Sequence, residues 1–474
     1  MRHCAARGQW LLWDGHHWQP DQRGCAIRFA AEEARAATTE AARSGADARV
    51  LAAAKRQEAH GRVLGALALA AVHPLIAVTA ADLDVDSWLL NVQNGTLDLR
   101  SGTLRPHRRD DLLTHMLPFD FDPVAPCARW DRFLHEVMDG RQDLVAFLRR
   151  WFGYCLTADV REHAMLFLVG DGRNGKGCLV ETIQHVMGPR LTGAAPEGLL
   201  LQQHGARHPA DVQFLAGRRL IVASEVPQGA AFNEERIKKL TGGDTLNARG
   251  MRQDFADFTP THKIVVQANH HPRVRDQSAA LWRRMRVVPF DVSFAGREDR
   301  GLKAALCAEA PGILAWLVAG CLEWQKHGLG EPLAVAQATA GYRADEDFLG
   351  QWSADWQSRY PTAGETKAAD LHADLRAWCE HQGEHPPRQR DLARELHRLG
   401  WVHHPTARPV AWSPPQSAQA AQSDLYDAAT RARKGVNGEQ TAAACETAET
   451  CPSVSAGVQT APRPWPADPA EAKA

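Results

Sequence analysis

The apolar and polar positions at the start of the chain predict a small mixed region. Residues 8–29 are rich in tryptophan and in glycine-containing turns, which indicates short strands, and residues 30–72 are rich in Ala, Glu and Arg, which favours helix. Short β-prone runs fill residues 88–104, with Asn94-Gly95 and Ser101-Gly102 between them. Because such pairs favour tight turns, we expect a small meander of hairpins here.

The pattern then changes to that of an α/β domain. Residues 130–154 have apolar side chains at helical spacing and lead into this region, and residues 299–326 are helical again. Between them lie the continuous apolar runs Met165-Leu-Phe-Leu-Val, Leu220-Ile-Val-Ala, Ile264-Val-Val-Gln-Ala and Arg286-Val-Val-Pro-Phe. Strands covered on both faces have this pattern, so the runs predict a sheet that is at least partly parallel and packed between helices.

The last folded region is predicted to be small. After a polar join at residues 340–347, amphipathic helices at residues 371–381 and 388–399 precede Gly400-Trp-Val. Two helices and a short strand fit a winged-helix-like module, and a purely helical subdomain fits equally well. Few large apolar residues follow, which predicts a disordered tail. The predicted regions are therefore residues 1–125, 126–335, 336–412 and 413–474.

Composition and charge limit the kinds of ligand and environment that the chain can have. The chain has 474 residues and a net charge of −1, so a basic surface for nucleic acid must be local. Its ten cysteines form no CxxC pair, which favours reduced thiols in a cytosol over a zinc module or a disulfide framework. The longest apolar stretch, residues 63–78, is interrupted by His73 and Pro74 and is too short to span a membrane. We therefore expect a cytoplasmic protein without a membrane partner.

Gly170-Asp-Gly-Arg-Asn-Gly-Lys-Gly has the form of a phosphate-binding loop. It follows an apolar strand and begins a helical run, which is the context that this loop needs; a chance glycine-rich turn is the alternative. Glycines let backbone N–H groups face phosphate oxygens, and the helix N-terminus favours anions. Lys176 is placed to reach the β- and γ-phosphates of ATP. The residues predicted to contact ATP are Gly170, Asp171, Gly172, Arg173, Asn174, Gly175, Lys176, Gly177 and Cys178.

The ends of two later strands carry the residues expected to complete hydrolysis. Glu225 ends an apolar run and is predicted to hold Mg²⁺ through water and to polarise the attacking water, although a surface glutamate has the same local pattern. Asn269 ends the next run and is predicted to orient that water, although a turn-forming Asn is the alternative. Gly177 stands where Ser or Thr usually gives a hydroxyl to Mg²⁺, so this role passes to water or to another residue, with Thr182 as the candidate.

Basic residues in two further segments predict contacts with phosphate. Arg283 and Arg284 are candidates for an arginine supplied to ATP across a subunit interface, because the planar guanidinium suits phosphate. Lys239, Arg249 and Arg252 lie in a helix and a predicted two-stranded projection, where they are candidates for contact with DNA in a central channel. For each segment the alternative is a solvated basic surface.

These motifs, taken in order, resemble those of a known family. The series is Gly170…Gly175-Lys176, Ser224-Glu225, Lys239-Leu-Thr-Gly-Gly-Asp244, Asn269-His-His-Pro272 and Trp282-Arg-Arg284…Pro289-Phe290. It resembles the superfamily III helicase domain of phage/plasmid and poxvirus-type primase–helicases. The segment Leu90-Asn-Val-Gln-Asn-Gly-Thr-Leu-Asp-Leu…Gly102-Thr-Leu-Arg-Pro-His107 resembles the domain that precedes the motor in that family. The resemblance covers residues 10–401.

The resemblance implies an AAA+-like P-loop ATPase preceded by a mixed α+β domain. It implies an ATP-dependent DNA helicase that acts in phage or plasmid replication in a bacterial host cytoplasm. The subunits are then expected to form a ring, commonly a hexamer, with ATP and Mg²⁺ between subunits and single-stranded or replication-fork DNA in the pore, and to move 3′ to 5′. Glycine at position 177 and a single acid at Glu225 both fit phage-type members.

Three alternatives remain from the sequence. No zinc finger and no acidic cluster suited to a two-metal polymerase is present, so we expect a separate primase as a partner. The basic segment at residues 388–398 and the single acid at Glu225 leave open an ATP-gated replication initiator or loader that does not unwind processively. A phosphotransferase for a small molecule and a degenerate prophage remnant are the remaining alternatives.

Overall fold

The first region combines two small sheets with three helices. The computed structural model describes residues 1–196, 198–202, 210–224, 226–227, 229–249, 255–405 and 410–415. Its first elements are β1 (Arg2–Cys4), β2 (Gln9–Trp13), β3 (Trp18–Pro20), α1 (Cys25–Arg43), α2 (Ala48–Gln57), α3 (His60–Ala71), β4 (Ala77–Val78), β5 (Leu89–Val92), β6 (Gly95–Asp98) and β7 (Thr103–Arg105). One sheet has the strand order β3-β2-β1-β4 and the other β5-β6-β7.

The antiparallel sheet β5-β6-β7 confirms the predicted meander of hairpins. Gly95, at the first turn, is required by packing, because a Cβ there would lie 2.6 Å from the carbonyl oxygen of Arg105 on the next strand. The helical prediction for residues 30–72 is also confirmed, except that α1 begins earlier, at Cys25. Its start is fixed by Asp21, whose carboxylate accepts hydrogen bonds from the backbone N–H groups of Cys25 and Ala26.

The second region contains a five-stranded sheet in which every pairing is parallel. Its elements are α4 (Ala128–Val137), α5 (Gln142–Cys155), β8 (Met165–Val169), α6 (Lys176–Leu191), β9 (Thr192–Ala194), α7 (Ala210–Gln213), β10 (Leu220–Ala223), α8 (Glu234–Thr241), β11 (Leu246–Arg249), β12 (Phe255–Phe258), β13 (Lys263–Ala268), α9 (Ala279–Trp282), β14 (Met285–Pro289), α10 (Leu302–Ala308), α11 (Ala310–His327) and α12 (Leu333–Glu346). The strand order is β14-β8-β13-β10-β9. The predicted apolar runs therefore form one parallel sheet.

Alternate residues of the strands enter two different cores, one on each face of the sheet. On β8, Leu166 and Leu168 pack into a core that α4–α6, α10 and α11 cover, while Met165 and Phe167 pack into a core that α8, α9 and α12 cover. Continuous apolar runs are the consequence of this two-sided burial. Because all strands are parallel, their carboxyl ends share one edge, which is where ligands bind in open α/β sheets.

Helices α5 and α11 approach each other closely through glycine. A Cβ at Gly153 would lie 2.2 Å from the backbone nitrogen of Cys321, and a Cβ at Gly320 would lie 2.0 Å from the carbonyl oxygen of Arg149. Neither position can carry a side chain without separating the helices. This contact fixes the helical layer against which the phosphate-loop helix α6 packs.

The structure also bears on the predicted two-stranded projection and the predicted polar join. Strands β11 and β12 pair antiparallel, which confirms the two-stranded projection. Residues 340–347, interpreted from the sequence as a polar join, lie largely in the last turns of α12, and the predicted boundary between residues 335 and 336 falls inside that helix. The helix packs on the sheet, where the hydroxyl of Thr339 accepts a hydrogen bond of 3.1 Å from the backbone N–H of Val287.

The chain divides into two compact units, Met1–Gln351 and Trp352–Ala474. Helix α13 (Phe348–Arg359) leads into the second, which contains β15 (Thr366–Lys367), α14 (Ala368–Gln382), α15 (Gln389–Arg398), β16 (Val402–His404) and β17 (Ala411–Ser413). The strand order is β15-β17-β16, and both pairings are antiparallel. The second unit therefore contains a three-stranded sheet in addition to the two predicted helices. The winged-helix interpretation remains a prediction, and the predicted tail, apart from residues 413–415, lies outside the described residues.

Among the described residues, no single helix is both long and apolar enough to cross a membrane. Helices α10 and α11 pass that test only as a pair, and they meet at a bend of 71°. Most of α11 is buried against α5 in the core of the first unit.

Candidate functional site

The glycine-rich loop leaves the carboxyl end of β8 and ends at the N-terminus of α6. Gly172 and Gly175 have φ angles of 92° and 86°, which favour glycine. A Cβ at Gly170 would lie 2.1 Å from the amide nitrogen of Asn174 and 2.4 Å from the carbonyl oxygen of Phe290, so the loop is tightly enclosed. No side chain caps the first turn of α6, whose N–H groups are therefore available to an anion.

Lys176 is buried at the centre of this loop, and within the described part of the chain its hydrogen-bond acceptors are all neutral oxygens. Its ammonium group donates to the carbonyl oxygen of Gly170 at 2.6 Å, to the side-chain oxygen of Asn174 at 3.0 Å and to the side-chain oxygen of Asn269 at 3.3 Å. Burial lowers the pKa of Lys176, while Asp171 acts in the opposite direction. A buried ammonium without a bonded carboxylate is complementary to an anionic ligand.

Asn269 reaches this lysine because β13 lies directly beside β8. Ala268 pairs with Val169 in the parallel ladder, so the residues that follow, Asn269 and Gly170, are neighbours at the same edge. The sequence predicted that Asn269 orients water. The structure adds its contact with Lys176.

Two polar side chains lie near Gly177, the position at which Ser or Thr usually gives a hydroxyl to Mg²⁺. A Cβ at Gly177 would meet no heavy atom closer than 4.0 Å, and the two atoms at that distance are side-chain oxygens of Gln267 and Glu181. Thr182, the predicted substitute, is fully buried, and its role remains a prediction. Gln267 donates a 3.5 Å hydrogen bond to the hydroxyl of Ser224 at the end of β10. Glu225 lies outside the described residues.

A cavity of about 440 Å³ adjoins the loop on the side of α12. Its walls include loop residues 170–172, His271, Tyr342 and Asp345. The rings of His271 and Tyr342 stack with centroids 4.1 Å apart, and the Tyr342 hydroxyl donates to the carbonyl oxygen of Pro272. Sequence reasoning assigned neither side chain a role of its own, because His271 stood only within the Asn269-His-His-Pro272 motif and Tyr342 lay in the predicted polar join.

Arg283 and Arg284 lie at the opposite edge of the sheet from Lys176. They precede β14, where Met285 pairs with Met165, whereas the loop follows the other end of β8. Arg283 is exposed, and Arg284 is partly buried and donates to the carbonyl oxygen of Ala280. Burial and the neighbouring Arg283 lower the pKa of Arg284. The structure therefore does not bring these arginines to the loop of their own chain.

The predicted DNA contacts are only partly described. Lys239 is exposed on α8, and the backbone of Arg249 ends β11. The side chain of Arg249 and the whole of Arg252 lie outside the described residues. Their roles therefore remain predictions. The described residues contain no group of three or more His, Cys, Asp or Glu side chains that could hold a metal ion.

Two regions of the chain match known family models. Residues 1–139 match the family model described as D5 N terminal like, and residues 168–284 match a family described as of unknown function, DUF5906. A protein of Acanthamoeba polyphaga mimivirus named as a helicase, L207/L206, is 24% identical over 323 residues, which are 63% of this chain and 33% of that protein. Together these matches support a D5-type primase–helicase family for the chain.

Other relatives of this D5-type chain carry helicase or primase names. A protein of African swine fever virus named as a primase, C962R, is 25% identical over 232 residues, 46% of this chain and 24% of that protein. The chain thus spans a third or less of the length of these two relatives. In a solved structure of the C-terminal region of NrS-1, the A form without ligand, 77% of that chain and 72% of this one superpose with a TM-score of 0.44 and 11% identity.

Proposed function

We propose that this D5-type chain is an ATP-driven DNA helicase of superfamily III that acts in the replication of a phage or plasmid. The observation that carries the proposal is Lys176, a buried ammonium that lies among neutral oxygens where the uncapped helix α6 begins. A nucleotide phosphate supplies the negative charge that this arrangement lacks. The names of the viral relatives support the role in DNA replication.

The residues around the loop divide the work of hydrolysis. When bound, ATP supplies the phosphoanhydride bond, and Mg²⁺ neutralises charge on its phosphates. Backbone N–H groups of the loop and the Lys176 ammonium hold the β- and γ-phosphates, and Asn269 holds Lys176 and orients water from the adjacent strand end. Glu225 polarises that water, and Gln267 reaches toward Gly177 at the Mg²⁺ side. The cavity at His271 and Tyr342 is assigned to the nucleotide base.

The position of the arginines supports a ring of subunits. Since Arg283 and Arg284 lie at the edge of the sheet away from their own loop, an arginine here serves a nucleotide only on a neighbouring copy. Repetition of such a head-to-tail contact closes a ring, which we take to be a hexamer. Lys239, Arg249 and Arg252 are then assigned to the DNA in its channel, and a separate primase remains a proposed partner.

The alternative of an ATP-gated initiator receives no specific support. Two features motivate it. One, the single acid at Glu225, lies outside the described residues; in the other, the basic segment at residues 388–398, three arginines contact acids of the same helix. Arg390 lies 3.9 Å from Asp391, and Arg394 and Arg398 lie 3.4 Å and 2.8 Å from Glu395. Such pairs reduce the positive charge that this helix offers to DNA.

The proposal is tested by ATP hydrolysis measured with and without single-stranded DNA over a range of protein concentrations. We expect DNA to raise the rate, and the rate to rise more than proportionally with protein concentration. Lys176→Ala should abolish hydrolysis, whereas Lys326→Ala, which removes an exposed lysine of α11, should leave it intact. Hydrolysis that ignores both DNA and concentration would overturn the ring-helicase proposal and favour a small-molecule phosphotransferase.

A further inference from the structure

A long groove runs between the N-terminal sheet and the amino edge of the parallel sheet in the first unit. It consists of two cavities of about 970 Å³ and about 1260 Å³ that share Pro20, His115 and Arg190 in their walls. One wall is formed by the β1–β3 sheet and residues 109–116. The other is formed by the segments that precede β9, β10 and β13. We term this feature the edge groove; it lies at the opposite edge of the parallel sheet from the ATP loop.

Exposed arginines with unused donors line the edge groove. Arg7 lines the larger cavity, Arg23 and Arg109 line the smaller one, and Arg190 lines both. Within the described part of the chain, none of these four guanidinium groups has an acidic partner within ion-pair distance. The Arg190 guanidinium donates a long hydrogen bond of 3.4 Å to the hydroxyl of Thr114.

The acidic residues in the groove already use their oxygens within the chain. Asp14 accepts from two backbone N–H groups and from the Gln19 amide. Asp21 accepts from the start of α1. Asp84 accepts from the backbone and hydroxyl of Thr114 and contacts His115, and these contacts lower its pKa to about 2 despite its burial. The groove therefore offers donors to a ligand while its carboxylates are occupied.

Two buried cations lie beneath the groove without a bonded carboxylate. Arg219, which lines the larger cavity, is only 5% exposed and donates to the carbonyl oxygen of Leu156. Lys263 is 2% exposed and donates only to carbonyl oxygens, those of residues 157, 159 and 261. The nearby carboxylate of Asp159 is paired with Arg161 instead. The Arg219 guanidinium, which lines the cavity and bonds a carbonyl oxygen, adds a positive potential to the adjacent groove.

The groove also has features that suit nucleic acid bases. Trp13 and Phe29 line the smaller cavity and Phe214 lines the larger one, and Phe29 is 37% exposed. A basic groove with interspersed rings is the usual arrangement for single-stranded nucleic acid, because phosphates pair with cations and bases stack on rings. Residues 259–261, in the wall of the larger cavity, directly follow the β11–β12 projection that is assigned to DNA.

We propose that the edge groove binds single-stranded DNA and continues the path of the strand from the β11–β12 projection to the N-terminal sheet. This inference rests on the proposed helicase function for the identity of the ligand as DNA. It adds a site outside the channel, formed jointly by the D5 N-terminal region and the parallel sheet. An acidic peptide is the competing ligand, but its carboxylates would not stack on the aromatic rings of the groove.

The test is the salt dependence of oligothymidylate binding by the full chain, measured by fluorescence anisotropy without nucleotide. The variant Arg109→Ala/Arg190→Ala removes two groove cations. Because each phosphate contact on a single strand contributes about 0.7 to the slope of log K against log salt, we expect the slope to fall by about 1.4 and binding to weaken about tenfold or more at low salt. The control Arg56→Ala/Arg62→Ala removes the same charge from exposed positions on α2 and α3 and should leave both unchanged.

Two further measurements separate the outcomes. Phe29→Ala should weaken oligothymidylate binding but not the binding of polyglutamate, and if polyglutamate instead outcompetes oligothymidylate, the groove is a peptide site and the proposal is wrong. An Arg109→Ala/Arg190→Ala variant that binds DNA like the control also overturns it, with Arg7→Ala/Arg23→Ala as the second pair if the first does not fold. Basal ATP hydrolysis should be unchanged in these variants. If the wild type hydrolyses no ATP but the groove variants lose DNA binding, the motor proposal fails while the groove stands.

Discussion

Removal of the arginine pair at the amino edge of the sheet should abolish ATP hydrolysis. A neighbouring subunit that carries intact arginines should restore it. The perturbation is Arg283→Ala/Arg284→Ala. Strand β14 separates this pair from the level of the ATP loop, and its four residue steps from Met285 to Pro289 span about 13 Å at the usual rise of a parallel strand. An arginine side chain is too short to cover that distance. If one of the two stabilises the transition state, the rate should fall by about 10³–10⁵.

The assay mixes two inactive proteins. The arginine double variant keeps an intact loop, and Lys176→Ala keeps intact arginines. After subunit exchange in equal amounts, about one quarter of the interfaces combine an intact loop with intact arginines, because each interface draws its two halves from different chains. We therefore expect the mixture to recover up to about one quarter of the wild-type rate.

Failure of this complementation has a clear meaning. If subunits exchange, as shown by energy transfer between labelled copies, and the mixture stays inactive, then the arginines act within their own chain or only in folding. The single variants Arg283→Ala and Arg284→Ala, each mixed with Lys176→Ala, then identify which arginine acts across the interface. Arg284 is the more constrained of the two, since it is partly buried and bonded to Ala280.

Three other predictions follow from the geometry. Asn269→Asp places a carboxylate about where the amide oxygen lies 3.3 Å from Lys176, so it should weaken binding of a fluorescent ATP analogue about tenfold, and more than Asn269→Ala does; equal effects would contradict this reasoning. Gly177→Ser meets no atom closer than 4.0 Å, so its thermal midpoint should be unchanged while nucleotide binding requires less Mg²⁺. Burial lowers the pKa of Lys263 to about 7 from its ordinary value of 10.5. Between these values the unfolded chain holds more protons on this residue than the folded chain does, so the contribution of Lys263 to stability rises with pH. Between about pH 7 and 8.5, below the titration of the buried thiols, stability in denaturant should therefore rise less with pH in Lys263→Met than in the wild type.

The sequence predicted the elements of the site better than their arrangement. The loop, its strand and its helix were recognisable because the glycine pattern and the apolar run are local signals. The contact between Lys176 and Asn269 was not, since it depends on β13 lying between β8 and β10, and strand order is set by packing between distant segments. Periodicity also gave no sign of which edge of the sheet each motif would occupy.

Buried polar residues were the least predictable. Arg219 and Lys263 resemble ordinary charged residues flanking strands, and only the fold shows that both are enclosed, with carbonyl oxygens as their hydrogen-bond acceptors among the described residues. His271 and Tyr342 acquire their place beside the loop when α12 packs on β14. In each case the deciding factor is a neighbour from a remote part of the chain.

Helix α6 connects the glycine-rich loop to the edge groove. It begins with Lys176 at the ATP loop and, after a break at Gly188 and Pro189, reaches Arg190 in the wall of the edge groove. Twelve helical residues before the break make a rod of about 18 Å. A displacement of the loop would be passed along this rod to the break at Gly188, next to Arg190. Nucleotide hydrolysis at the loop and DNA binding in the edge groove would then be coupled through this one helix.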